Sequence, residues 1–223
     1  MKLKLYHYVH CPFCVRVRMA AGLLKLPYES QVLPYDDEKT PLQLTGKKML
    51  PIMEIDGKAM NESLDIVAAL DTKNVLKIGD LKKDPHYPEF ESLLGKLGTN
   101  VHNLAMPYWI WTPEFSETSR TYFQTKKEAK RGPFKELIVK KKQFSLEMQN
   151  DLRKVEEELK PFYRSDKFTM YDILLASHIW GLYVVPEFQF SENMHQYLQR
   201  VKDICNFDYH HDFWSEFESC PQN

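Results

Sequence analysis

The residues best equipped for chemistry are Cys11-Pro12-Phe13-Cys14. Two thiols at this spacing can close a disulfide within one helical turn. Pro12 suits the first turn of a helix, where its missing N–H costs nothing, so Cys11 falls at a helix N-terminus. There the helix dipole and the free backbone N–H groups favour the thiolate, the form that attacks disulfides. Cys11, nearer the N-terminus and the loop, is read as the nucleophile, and Cys14, one turn in, as the resolving thiol. The competing readings are a chance C-x-x-C and half of a zinc site. A zinc site needs four ligands. His7 and His10 are near, but the next cysteine is Cys205, so redox chemistry is preferred and no metal is expected.

Two further segments can bind rather than react. In Met49-Leu50-Pro51-Ile52 a proline opens a strand after a loop, which makes Pro51 a candidate cis residue. A cis bond would turn the Leu50 N–H and C=O outward, where an extended peptide-like substrate can pair with them as an added strand. A trans proline opening a strand is the commoner case, and the C-x-x-C context favours cis. In Asn61-Glu62-Ser63 the free amides of a helix start offer an anion site. The Ser63 hydroxyl can sit beside a carboxylate and Glu62 can pair with an ammonium, which together suit a zwitterionic α-amino acid end. Plain helix capping by Asn61 or Ser63 explains the same residues. Arg16 can reach a carboxylate near the cysteines, though an arginine at such a place is more often solvated, and Asp65 is a lesser candidate in the same helix as Ser63. Trp109 and Trp111, beside Pro107 and Pro113, line a cleft or fill the core. Cys205 and Cys220 read as inert, Cys220 being a candidate oxidisable thiol, and His210-His211 is a weak metal signal.

The elements that must position these residues follow from periodicity. Lys2 to Tyr8 alternates as a strand does. Val15, Met19, Leu23 and Leu26 follow helical spacing up to Pro27. Tyr28 to Leu33 is a second strand, Asp36-Asp37 can cap a short acidic helix to about Leu44 with Gly46 suited to its end, and Leu50 to Ile55 is a third strand. Asp56-Gly57 is a hairpin turn into a short strand, Lys58 to Met60, and Glu62 to Leu70 is a helix. A C-x-x-C in this β-α-β-α-β-β-α order reads as a thioredoxin-like redox motif on a mixed four-stranded sheet. Residues 73–88, with Gly79, Pro85 and Pro88, read as a linker between a first domain over 1–72 and a second over 89–223. In the second, strand signals nearly vanish. Phe90 to Leu104, Met148 to Leu159, Ile173 to Val184 and Met194 to Val201 each carry an amphipathic stripe, and 114–131 is read as helical too. Thr169-Met170-Tyr171-Asp172 is a capping box with Phe168 and Ile173 at staple positions.

Composition narrows the partners. Thirty basic residues against 31 acidic ones, in 223 residues, argue against nucleic acid or an anionic membrane as the main partner. Lys126-Lys127 and Lys140-Lys141-Lys142 read as solvated helix surface. Four cysteines are too few for a disulfide scaffold of this size. With no visible signal peptide and no run of apolar residues long enough to span a bilayer, the expectation is a soluble cytoplasmic protein.

In its ordered set of motifs the chain resembles the glutaredoxins, and within them the larger bacterial type, glutaredoxin 2, which carries a glutathione-transferase-like helical domain. The resemblance rests on Cys11-Pro12-Phe13-Cys14, on Gly46 to Ile52 and Glu62 to Val67, and on Tyr122-Phe123, Lys126 to Ala129, Gly132 and Phe134. It covers nearly the whole chain. It implies a glutathione-dependent thiol–disulfide oxidoreductase with glutathione as co-substrate and disulfide-containing or glutathionylated proteins as partners. By the same resemblance the backbone of glutathione pairs with Leu50 before cis-Pro51, and its γ-glutamyl end meets Glu62 and Ser63, with Phe13 at the wall and Pro12 and Arg16 in support. A monomer is expected. Phe13 replaces the usual tyrosine of the motif and Leu50 the usual smaller valine, changes that touch the pocket wall and leave the thiols intact. A glutathione transferase, which has no need of Cys14, and an iron–sulfur or partner-binding module are the alternative readings.

Overall fold

The computed structural model describes residues 1–209; Cys220 and His210-His211 lie outside the described residues. The chain runs β1 (Leu3–His7), α1 (Pro12–Leu23), β2 (Glu29–Val32), α2 (Lys39–Thr45), β3 (Ile52–Ile55), β4 (Lys58–Met60) and α3 (Ser63–Leu70). The sheet order is β2-β1-β3-β4, with β1 parallel to β2 and antiparallel to β3, and β3 antiparallel to β4. This is the thioredoxin-like mixed sheet. Alternation in β1 sends Leu3 and Leu5 into the main core and Tyr6 to the opposite face, where Leu33, Leu50 and Ile52 pack with Leu44 of α2. Gly46 ends α2 at φ 72°, and Asp56 and Gly57, both at positive φ, make the tight turn between β3 and β4. The short acidic helix expected from Asp36 begins later, at Lys39. Asp37 still serves its start, its Oδ1 accepting from the Thr40 N–H at 2.9 Å.

The second half is helical: α4 (Ile78–Leu81), α5 (Tyr87–Trp109), α6 (Glu117–Arg131), α7 (Phe134–Val139), α8 (Lys141–Glu157), α9 (Met170–Ile179) and α10 (Glu192–Ile204). Segment 73–88 is not bare chain: it contains α4, and Leu76 and Leu81 are buried in the core. The stripe read as one helix from Ile173 to Val184 changes to a 3-10 turn at Trp180. The capping box forms at the start of α9. Asp172 does more than cap, since it also accepts from the Tyr163 N–H and the Tyr197 hydroxyl, each at 2.9 Å.

The two halves share one core. Helix α1 packs on α3 on one side and on α9 on the other, so from Pro12 to Ala21 only Phe13 is exposed. The close approach needs Gly22, where an added Cβ would stand 1.9 Å from the Cys205 carbonyl oxygen. Cys205 itself is buried, and burial pushes its thiol up to about 12. Among the described residues no helix is long and apolar enough to cross a membrane.

Candidate functional site

The cysteine motif sits where β1 hands over to α1. Cys11 is the N-cap residue at φ −70° and ψ 121°, and its carbonyl accepts from the Cys14 and Val15 amides at 2.9 Å each. Cys11 is partly exposed and Cys14 buried, and neither is in a disulfide. Their surroundings separate them. A hydrogen bond from the Cys14 thiol, the Cys14 and Phe13 amides, and the charge of Lys127 bring Cys11 down to about 7, against the opposing effect of burial. Burial, then the bond to Cys11 and its charge, push Cys14 well above the usual thiol range. The Tyr8 N–H, 3.4 Å from Cys14 Sγ, offsets this in part. The pair is therefore asymmetric: Cys11 is partly exposed and lowered, Cys14 buried and raised, and a lowered thiol holds more of its thiolate form near neutral pH.

In the sequence Lys127 belongs to a segment that carries the resemblance and reads as a solvated lysine of a basic pair, with no role at the thiols. It comes from α6, its ammonium lies 5.3 Å from the centre of the Phe123 ring, and among the described residues no carboxylate pairs with it. The ring chain Phe123, Tyr35, Tyr8 connects it to the floor of the cysteine site. Only the fold brings residue 127 to residue 11.

Leu50-Pro51 is a cis peptide bond, as is Lys160-Pro161. Leu50 packs with Cys14, and Cys11 lies against the same cluster. On the other side of Phe13 a cleft of about 520 Å³ opens between the domains, lined by Phe13, Arg16, Glu62, Ser63, Lys82 and His178 among others. Arg16 is buried, contrary to the solvated reading, because α9 covers α1. It donates to Ser63 Oγ at 2.9 Å and lies 5.1 Å from the centre of the Phe13 ring. Burial lowers its ionisation to about 10, which leaves it cationic at neutral pH. Glu62 is exposed and held at φ 68°, a conformation rare for a residue with a side chain, and Asp65 is exposed on the same wall. His178 edges the Phe13 ring, its Nδ1 2.8 Å from the Leu174 carbonyl oxygen. Burial first, then Arg16, lower it to about 4, so the ring is neutral. The cleft therefore presents cations beside carboxylates, with one exposed aromatic at its edge. His178, Lys82 and Tyr87 gave no sequence signal; they reach the cleft through the placement of α4, α5 and α9.

Leu50 and Pro51 do not line this cleft; they flank the thiols from the sheet side. Trp109 is buried, and Trp111 is 68% exposed, with Arg120 stacked 4.4 Å from its ring. Among the described residues no group of three or more His, Cys, Asp or Glu is placed to hold a metal ion.

Residues 5–77 match the family "Glutathione S-transferase, N-terminal domain", and residues 89–212 match "Glutaredoxin 2, C terminal domain". Glutaredoxin 2 of Escherichia coli strain K12 is 32% identical over 200 residues, covering 87% of this chain and 92% of that protein. The crystal structure of glutaredoxin 2 from Salmonella typhimurium in complex with glutathione superposes with a TM-score of 0.82 at 30% identity, over 93% of this chain and 96% of that one. A glutathione transferase from Phanerochaete chrysosporium, GSTFuA3, shares the fold with a TM-score of 0.73 at 14% identity, over 93% of this chain and 98% of that one.

Proposed function

The chain belongs to the glutaredoxin 2 family, and from that premise we propose that it is a glutathione-dependent thiol–disulfide oxidoreductase with Cys11 as nucleophile and Cys14 as resolving thiol. The observation that carries this is the asymmetry of the pair: Cys11 is reachable and lowered to about 7, whereas Cys14 is buried and raised. With a glutathionylated protein, the Cys11 thiolate attacks the glutathione sulfur. The protein thiolate leaves and takes a proton from solvent, and Cys11 carries the glutathionyl group. A second glutathione thiolate attacks that sulfur, releasing glutathione disulfide and the Cys11 thiolate. With a protein disulfide, Cys11 forms a mixed disulfide with one substrate sulfur. Cys14 then loses its proton and attacks Cys11 Sγ, and the reduced protein departs. Two glutathiones supply the two electrons that reopen the Cys11–Cys14 bond.

The glutathione seat is read from the same surroundings. The main chain of Leu50, at the head of β3 and beside both thiols, pairs with the extended backbone of glutathione, and Pro51 and Phe13 border it. The γ-glutamyl end enters the cleft, its carboxylate at Ser63 and Arg16 and its ammonium at Glu62. A seat with cations next to carboxylates suits a zwitterion better than a plain anion or an apolar ligand. Disulfide-containing and glutathionylated proteins are the partners, and the chain acts as a monomer. Residues 1–72 and 89–223 are the two domains of this reading.

The test is reduction of a small glutathione mixed disulfide, coupled to glutathione reductase, with wild type, Cys11→Ser and Cys14→Ser. Loss of activity in Cys11→Ser with retention in Cys14→Ser is the expected result. An inactive wild type, or a Cys11→Ser variant as active as wild type, overturns the assignment.

A further inference from the structure

His10, the residue ahead of Cys11, is buried between the domains. Its Nε2 lies 2.7 Å from Glu114 Oε1 and 2.8 Å from Thr112 Oγ1, and its Nδ1 is hydrogen-bonded to the Tyr209 hydroxyl. The ring stacks on Trp109 with centroids 5.1 Å apart and planes 6° apart. These four neighbours all come from the helical half. The Thr112 hydroxyl donates to the Trp109 carbonyl at 2.6 Å, so its oxygen is left to accept, which places a proton on His10 Nε2. The Glu114 side chain is 2% exposed, and neither of its oxygens has a well-aligned hydrogen bond among the described residues. The basic side chain that meets it there is His10, at 2.7 Å. A buried acid and base held together are seldom more stable than two apolar side chains of the same volume, so stability alone does not account for them.

Their position suggests another role. Cys11 Sγ gains from the Phe13 and Cys14 amides and from Lys127 only if the Cys11 backbone is held in one place relative to α1 and α6. Glu114 lies just ahead of α6, the element that carries Lys127. We propose that His10 and Glu114 are a positioning pair through which the helical domain fixes the loop bearing Cys11. This rests on the reading of Cys11 as the nucleophile.

The test uses the full chain with His10→Phe and Glu114→Met combined, and Glu114→Gln alone. Four quantities are read: the melting temperature, the pH dependence of Cys11 alkylation by iodoacetamide followed by mass spectrometry, kcat, and KM for glutathione. The double variant is expected to melt near the wild type. Its alkylation midpoint rises, and kcat falls by up to about a hundredfold, the scale of an ångström-sized misplacement from outside the reacting groups. KM is unchanged, because the cleft around Arg16 and Ser63 is untouched. A double variant with the wild-type midpoint and kcat overturns the proposal. If the double variant does not fold, Glu114→Gln decides: a raised midpoint supports the pair, and an unchanged one overturns it. Alkylation reads Cys11 whether or not the chain turns over. A wild type that reduces nothing, but whose midpoint still moves in the variants, supports the pair and sinks only the oxidoreductase reading.

Discussion

At the scale of single residues the site is an unequal division of charge. Cys11, at about 7, is half thiolate near neutral pH, so its alkylation rate falls as pH drops through that value. Cys14 stays unmodified over the same range. A pH titration with mass spectrometry of each cysteine checks both. Lys127 acts on Cys11 from across the domain boundary and is the smallest of the named influences. Lys127→Met is expected to raise the Cys11 midpoint by a fraction of a pH unit, and Lys127→Arg to restore it; a midpoint unmoved by the methionine variant removes Lys127 from the site. Among the described residues Arg16 makes one hydrogen bond, to Ser63, and has further N–H groups for a carboxylate. A charge-assisted hydrogen bond contributes about 1.5–3 kcal/mol, so Arg16→Met should raise KM for glutathione roughly tenfold or more. A change confined to kcat would place the γ-glutamyl end elsewhere.

At the scale of elements the helix ends and the packing of α1 against the helical half carry stability. Thr169→Ala removes half of a capping box and should cost about 1 kcal/mol. Asp172→Ala should cost more, about 3 kcal/mol, because Asp172 also satisfies Tyr163 and Tyr197 inside the core. Gly22→Ala is the sharpest test of the domain contact. The new methyl group would lie 1.9 Å from the Cys205 carbonyl, and α1 and the end of α10 must part to admit it. Overpacking of this kind costs about 1–3 kcal/mol, and denaturant melts measure all three. A Gly22→Ala variant as stable as wild type would mean that the domains do not meet as described.

At the scale of the whole molecule, burial of neutral histidines predicts how stability varies with acid. Burial, then Arg131, lower His102 to about 3, and an Arg131 N–H donates to its Nδ1 at 3.2 Å. His178 is lowered to about 4. In the unfolded chain both regain an ordinary value near 6.5. Below that the unfolded state binds protons that the folded state refuses, so stability falls as pH drops from about 6.5 toward 4. Melting temperatures across this window should decline, and more gently in His102→Gln and His178→Gln. An equal decline in both variants would contradict neutral burial.

The sequence by itself determined what is local. A cysteine pair with proline inside it marks a helix start, alternation marks strands, Gly46 and Asp56-Gly57 mark turns, and a threonine with an aspartate three residues on marks a cap. Each is a relation between residues within a few positions, where backbone geometry leaves few choices. The same local set was enough to suggest the family. What lies across the chain was decided by tertiary structure. Arg16 is legible as a candidate support for the site, but its burial is decided by α9, which packs on α1. Lys127 reads as one of two surface lysines until the fold brings its charge within reach of Cys11. His10, noted only as a possible metal neighbour, is instead held by Glu114, Thr112, Trp109 and Tyr209. The reason is physical: burial and Coulomb interactions depend on distance through space, and the packing of two domains sets that distance without regard to separation along the chain.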